Sequence, residues 1–271
     1  MEKKIGFIGC GNMGKAMIGG MLAANLVKKE QVMASCKRQE SAERTARELG
    51  ISVATDNRQV AEFAELLFLA VKPNMFAEVI PEIAARVKED TVVISIAAGQ
   101  SLAAVEELFG ENPVRLVRAM PNTPALVGEA MSALCANDRV TEEELAEVKA
   151  IFESFGKAEV VSESLMDAVV GVSGSSPAYV YMFIEAMADA AVADGMPRAQ
   201  AYTFAAQSVL GAAKMVLATG QHPGALKDAV CSPGGTTIEA VAKLEEAGLR
   251  QAVIAGQRAC VRKSREMSEK K

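Results

Sequence analysis

Three glycines spaced as Gly9-Cys10-Gly11-Asn12-Met13-Gly14 follow directly on the apolar run Ile5–Ile8. That spacing suits the seating of a pyrophosphate on backbone. The first glycine permits a tight turn, the second lets an anion approach the main chain, and the third lets helix and strand pack closely. The unpaired N–H groups of the helix that follows, aided by its dipole, would hold the negative charge. Gly9, Cys10, Gly11, Asn12, Met13 and Gly14 are therefore expected to bind a dinucleotide. A simple tight turn is the plain alternative. The motif's place between a strand and a helix, in a chain that continues as strand–helix–strand, favours the dinucleotide.

The end of the next strand distinguishes NAD from NADP. NAD-binding chains place a carboxylate there for the ribose hydroxyl. Here the residues are Ala34-Ser35-Cys36-Lys37-Arg38, with no carboxylate before Glu40. A hydroxyl and two cations suit a 2′-phosphate. Ser35, Lys37 and Arg38 thus point to NADPH as the preferred cofactor, with NADH possible; an exposed loop with idle charges is the alternative. Asn57, Ala70, Val71, Lys72 and Pro73 fall at strand ends on the ligand side and are expected to line the same cofactor.

A second motif lies far downstream, Cys231-Ser232-Pro233-Gly234-Gly235-Thr236-Thr237-Ile238-Glu239. Thr236 with Glu239 fits a capping box. The turn before it exposes N–H groups able to take an anion, with the Ser232 and Thr237 hydroxyls to spare. A well-capped helix with no ligand fits equally. No lysine lies between Lys157 and Lys214, and His222, before Pro223, reads as a helix entry. Ketone and alcohol chemistry needs a proton donor of that kind. A protonated cyclic imine is already electrophilic and needs only positioning.

These motifs must be held by larger elements. Up to about residue 160, short apolar runs alternate with amphipathic stretches: Ile5–Ile8, Gln31–Ala34, Leu66–Val71, Val92–Ile96, Leu116–Met120, Ser132–Cys135 and Glu159–Val161. The pattern predicts an α/β Rossmann domain with a mainly parallel sheet covered on both faces. Helices are expected over Glu40–Leu49 and Met75–Val87, and after the cap residue Thr141. Beyond Ser164 the chain reads as helices only: Ala178–Ala193, Arg198–Thr219, Thr237–Glu246 and Leu249–Ser268. The predicted domains are residues 1–161, binding NADP, and 162–271, an all-α dimerisation and substrate-binding domain. Tyr179–Ile184 is apolar on every side and must be buried. An interlocked homodimer would bury it, as would packing against the Rossmann domain.

The 271 residues are half apolar, carry a net charge of −5 and include five scattered cysteines and one histidine. A disulfide framework, a metal site and a nucleic-acid surface are all unexpected on that composition. No stretch supplies the ~20 uncharged apolar residues of a membrane span, and no signal peptide is evident, so a cytoplasmic protein is expected.

Taken together, the motifs resemble those of the pyrroline-5-carboxylate reductase family over essentially the whole chain. The match is strongest across Leu226–Thr237 and Ile238-Glu239-Ala240, and it extends to Gly9–Gly14, Ala70–Pro73, Arg118–Pro124 and Gly174–Tyr179. The resemblance implies NAD(P)H-dependent reduction of 1-pyrroline-5-carboxylate to proline, in a domain-swapped dimer that often assembles into a decamer (a pentamer of dimers). It implies that Ser232, Gly234, Gly235, Thr236 and Thr237 hold the substrate carboxylate, with Thr237 the hydroxyl that meets the ring nitrogen. It places Met120, Pro121 and Asn122 beside the nicotinamide and Ser175 nearby. Some members have Gly-Ser-Gly-Pro where this chain has Gly174-Ser175-Ser176-Pro177. The alternatives are an NADP-dependent hydroxyacid dehydrogenase of the 6-phosphogluconate dehydrogenase-like type, against which the missing lysine counts, and a non-catalytic NADP sensor.

Overall fold

A computed structural model describes residues 1–269. Eight strands form one sheet: β1 (Ile5–Ile8), β2 (Val32–Ser35), β3 (Ser52–Ala54), β4 (Leu66–Leu69), β5 (Val92–Ser95), β6 (Arg115–Met120), β7 (Ala130–Ala136) and β8 (Gly156–Val160). Their order is β3-β2-β1-β4-β5-β6-β7-β8, and every pairing is parallel except β6 with β7. The helices in chain order are α1 (Asn12–Ala23), α2 (Gln39–Leu49), α3 (Asn57–Phe63), α4 (Phe76–Ala84), α5 (Leu102–Phe109), α6 (Glu142–Glu153), α7 (Met166–Val169), α8 (Ser176–Ala193), α9 (Arg198–Thr219), α10 (Pro223–Ala229), α11 (Thr236–Glu246) and α12 (Leu249–Glu269).

Strands β1 and β4 at the centre carry no polar side chain because both faces are covered. Ile5, Phe7, Phe68 and Ile94 face Met17, Met21, Ile151 and Phe152 of α1 and α6. Phe7 and Phe68 stack at 4.5 Å on neighbouring strands. On the other face Ile8, Leu67, Leu69 and Val93 meet Val60, Ile80, Ile83 and Val105 of α3, α4 and α5. Strands β4, β5 and β6 overlap the predicted runs closely. The three-residue edge strand β3 and helices α3 and α5 lay outside them. The capping box at Thr141 is present: Thr141 Oγ1 accepts from the Glu144 N–H (3.2 Å) and Glu144 Oε2 accepts from the Thr141 N–H (2.9 Å).

The chain divides into two compact units, residues 1–174 with the segment from Cys260 onward, and Ser175–Ala259. The division falls later than the expected 161/162, for a visible reason. Met166 is fully buried in the α4/α5 core, Glu163 pairs with Arg118 of β6 at 2.9 Å, and Ser264 Oγ donates to Asp167 at 2.6 Å. These contacts bind the connecting turns and the end of α12 to the first unit. In the second unit α8, α9, α10, α11 and the start of α12 bury very little. Its only buried hydrophobic residues are Ala188, Ala201 and Ala205, while Met182, Phe204 and Leu217 are each more than 60 % exposed. Among the described residues no helix is long and apolar enough to cross a membrane.

Candidate active site

One candidate region is the turn from β1 to α1. Gly9 has φ +88°, and a Cβ there would lie 2.7 Å from Val71 Cγ1 and 3.1 Å from the Ala70 carbonyl oxygen. Glycine is therefore required by both conformation and space. Gly14 is closely packed, with the Gly9 carbonyl oxygen 3.3 Å from its would-be Cβ. Gly11 differs: it is exposed, nothing lies within 4 Å of its Cβ position, and it is the N-cap of α1 without any side-chain cap. The N–H groups that open α1, at Asn12 and Met13, thus face a cleared approach, and these residues fit a pyrophosphate. Cys10, half-buried in the same turn, has its thiol pushed up to about 12, first by burial and then by Cys36. It stays a neutral wall residue.

Around this turn the expected residues separate into two groups. Lys37 and Arg38 are exposed after β2, Arg38 as the N-cap of α2, and neither forms an ion pair among the described residues. Ala70, Val71, Lys72 and Pro73 follow β4 beneath Gly9, tied down by the Ala70 N–H donating to the Ile8 carbonyl at 2.9 Å. Ser35 is turned inward instead. It is 2 % exposed, accepts from the Gly9 N–H at 3.0 Å and donates to Asn57 Oδ1 at 2.7 Å. Its hydroxyl supports the turn and does not stand open towards a phosphate.

The end of β6 carries Met120-Pro121-Asn122. Met120 is buried in the α4/α5 core. Both ends of the Asn122 amide are engaged once: Oδ1 accepts from the Met131 N–H (2.9 Å) and Nδ2 donates to the Ser173 carbonyl (3.0 Å). Asn122 therefore braces the turn. Its partner Ser173 lies in a π-helical stretch, Val170–Gly174, a feature frequent at functional sites. Glu163, unremarked in the sequence, accepts from Arg118 (2.9 Å) and from the Leu102 N–H (2.7 Å), fixing β6 against the start of α5.

In the second unit the expected capping box is absent. Gly235, not Thr236, is the N-cap of α11, so Thr236 and Thr237 occupy its first turn. The preceding turn fixes glycine at this position. A Cβ at Gly235 would sit 2.5 Å from Ser232 Oγ, and the Gly235 N–H donates to the Ser232 carbonyl at 3.0 Å, closing the turn one residue earlier. Gly234 has φ +66°. Ser232, Gly234, Thr236 and Thr237 are exposed, and α11 opens with no side-chain cap on its N–H groups. Ser175 is the N-cap of α8. His222 is the N-cap of α10, its Nδ1 accepting from the Gly224 N–H at 3.0 Å, so it is a helix cap as read. No cluster of metal-binding side chains occurs among the described residues.

Residues 163–267 match the family model described as pyrroline-5-carboxylate reductase dimerisation, and residues 4–99 match that of the coenzyme F420-dependent NADP oxidoreductases. A pyrroline-5-carboxylate reductase of Escherichia coli is 54 % identical over 99 % of this chain and 100 % of its own. The chain belongs to the pyrroline-5-carboxylate reductase family. Its fold agrees. The solved structure from Coxiella burnetii aligns with a TM-score of 0.92 at 34 % identity, covering 99 % of this chain and 100 % of that one. The Plasmodium falciparum enzyme, solved with NADP bound, aligns at 0.89 and 32 % identity over 99 % of both chains.

Proposed function

We propose that this protein reduces 1-pyrroline-5-carboxylate to L-proline with NADPH. The observation that carries the reading is the 54 % identity, along the full length of both chains, to a reductase named for that reaction. The residues supply a consistent chemistry. Gly9–Gly14 seat the pyrophosphate, with Asn57 and Ala70–Pro73 along the wall. Lys37 and Arg38 hold the 2′-phosphate as exposed, uncommitted cations. NADPH supplies the hydride when bound. At the other motif, the N–H groups opening α11, with Ser232, Gly234, Gly235 and Thr236, hold the substrate carboxylate. The Thr237 hydroxyl meets the ring nitrogen. Backbone of Met120, Pro121 and Asn122 borders the nicotinamide, and Ser175 lies close to the substrate. A protonated imine needs no further acid, so orientation does most of the catalytic work.

Residues 1–161 form the cofactor domain in this reading, and residues 162–271 the domain of substrate binding and dimerisation. A homodimer covers the exposed apolar faces of α8 and α9, and five dimers assemble into a decamer. The test follows NADPH consumption by purified protein, first with pyrroline-5-carboxylate and then with a panel of keto-acids. Turnover on the imine is expected; turnover confined to keto-acids would replace the proposal with a hydroxyacid dehydrogenase.

A further inference from the structure

Three hydrogen bonds run from the protein surface to the glycine turn. Glu82 Oε2, on the exposed side of α4, accepts from Asn57 Nδ2 at 2.9 Å. Asn57 Oδ1 accepts from Ser35 Oγ at 2.7 Å. Ser35 Oγ accepts from the Gly9 N–H at 3.0 Å. The carboxylate sets the direction of the whole series. It accepts and does not donate, so it takes the NH₂ end of Asn57. The amide oxygen then faces Ser35, and the single hydroxyl proton of Ser35 is committed to it. What remains on Ser35 Oγ is acceptor capacity, which meets the Gly9 N–H. Ser35 is 2 % exposed, so water does not compete for the two bonds it makes, whereas the Glu82–Asn57 bond lies at the surface. Gly9 is the residue whose positive φ sets up the turn.

We propose that Glu82 is a positioning residue for the dinucleotide turn, acting through Asn57 and Ser35. The relay sets the affinity for NADPH and NADH alike, and discrimination between them falls to Lys37 and Arg38. The second statement follows from the first. With its proton engaged by Asn57, Ser35 is no donor to a 2′-phosphate, whereas Lys37 and Arg38 are exposed and unpaired among the described residues. The inference rests on the cofactor reading above.

The test measures Kd for NADPH and for NADH by direct titration of the full chain, without turnover. Glu82→Ala should weaken both by about three- to tenfold, the scale of one lost hydrogen bond, with their ratio unchanged within about twofold. Glu82→Gln still offers an acceptor to Asn57 and should bind like the parent. Glu62→Ala serves as control, because Glu62 on α3 pairs with Arg86 just beyond α4 (2.9 Å) on the same exposed surface but outside the relay. It should leave both constants unchanged. The proposal is overturned if Glu82→Ala binds normally or loses NADPH alone. It is equally overturned if Glu82→Gln fails to rescue or Glu62→Ala mimics the loss. A parent protein that binds neither nucleotide would instead overturn the cofactor reading itself.

Discussion

Helices α1 and α11 begin in the same way and are supported in opposite ways. Each has glycine as N-cap, extended (Gly11 at φ −78°, ψ −166°; Gly235 at φ −82°, ψ 170°), and neither has a side-chain cap. Both therefore leave N–H groups open to an anion. The α1 turn is seated by its own unit: Ser35 holds Gly9, Val71 and Ala70 leave no room for a side chain, and β1 beneath is fully buried. The α11 turn is exposed, in a unit whose buried hydrophobic residues are three alanines. The first turn is held entirely by its own unit. The other stands on helices that leave Met182, Phe204 and Leu217 exposed, and contiguous exposed apolar surface marks an interaction face.

The sharpest way to break this contrast is to charge the uncovered faces. Met182→Glu together with Phe204→Glu should abolish the dimer in sedimentation and lower turnover by roughly a hundredfold, as loss of a buried anchor pair would. NADPH affinity should stay within about threefold, because the first turn is self-seated; a collapse of NADPH binding would erase the distinction. At the second turn alone, Thr237→Ala should lower kcat/KM by roughly ten- to a hundredfold with Kd for NADPH unmoved. Equal losses in both would move Thr237 to the cofactor site or the fold.

Smaller effects sharpen the first turn. Gly9→Ala forces a side chain to positive φ against Val71 and should cost about 1–3 kcal/mol by chemical denaturation. Gly11→Ala, in open space, should cost about 1 kcal/mol or less while weakening NADPH binding. Reversal of that order would show that the turn is not seated as described. Lys37→Ala with Arg38→Ala should reduce the NADPH-to-NADH ratio of kcat/KM by about tenfold, the value of one or two charge-assisted contacts. An unchanged ratio would remove both cations from the phosphate site.

Much of this was legible in the residues. Ile5–Ile8 followed by Gly9–Gly14 is a local pattern, in which an apolar strand, a left-handed glycine and a helix start are each decided within a few residues. The same holds for Thr141 with Glu144 and for the helix Arg198–Thr219. At Ser232–Thr237 the local rule failed by one position. Threonine was the better cap by type, yet the Gly235 N–H closes on Ser232 first, and the bare glycine becomes the cap.

What tertiary structure alone decided is which polar side chains remain free for a ligand. By residue type, Ser35, Asn57 and Asn122 look like ligand contacts. In the fold Ser35 and Asn122 are committed to neighbours 26 and 51 residues away, and Asn57 is held between Ser35 and Glu82. Glu82 and Glu163 carry no motif, and their contacts exist only because α3 and β6 bring their partners within reach. Secondary structure and glycine turns follow from short-range sterics and periodicity, which a sequence displays. Hydrogen bonds between distant segments depend on strand register and helix placement, which appear only once the core has packed.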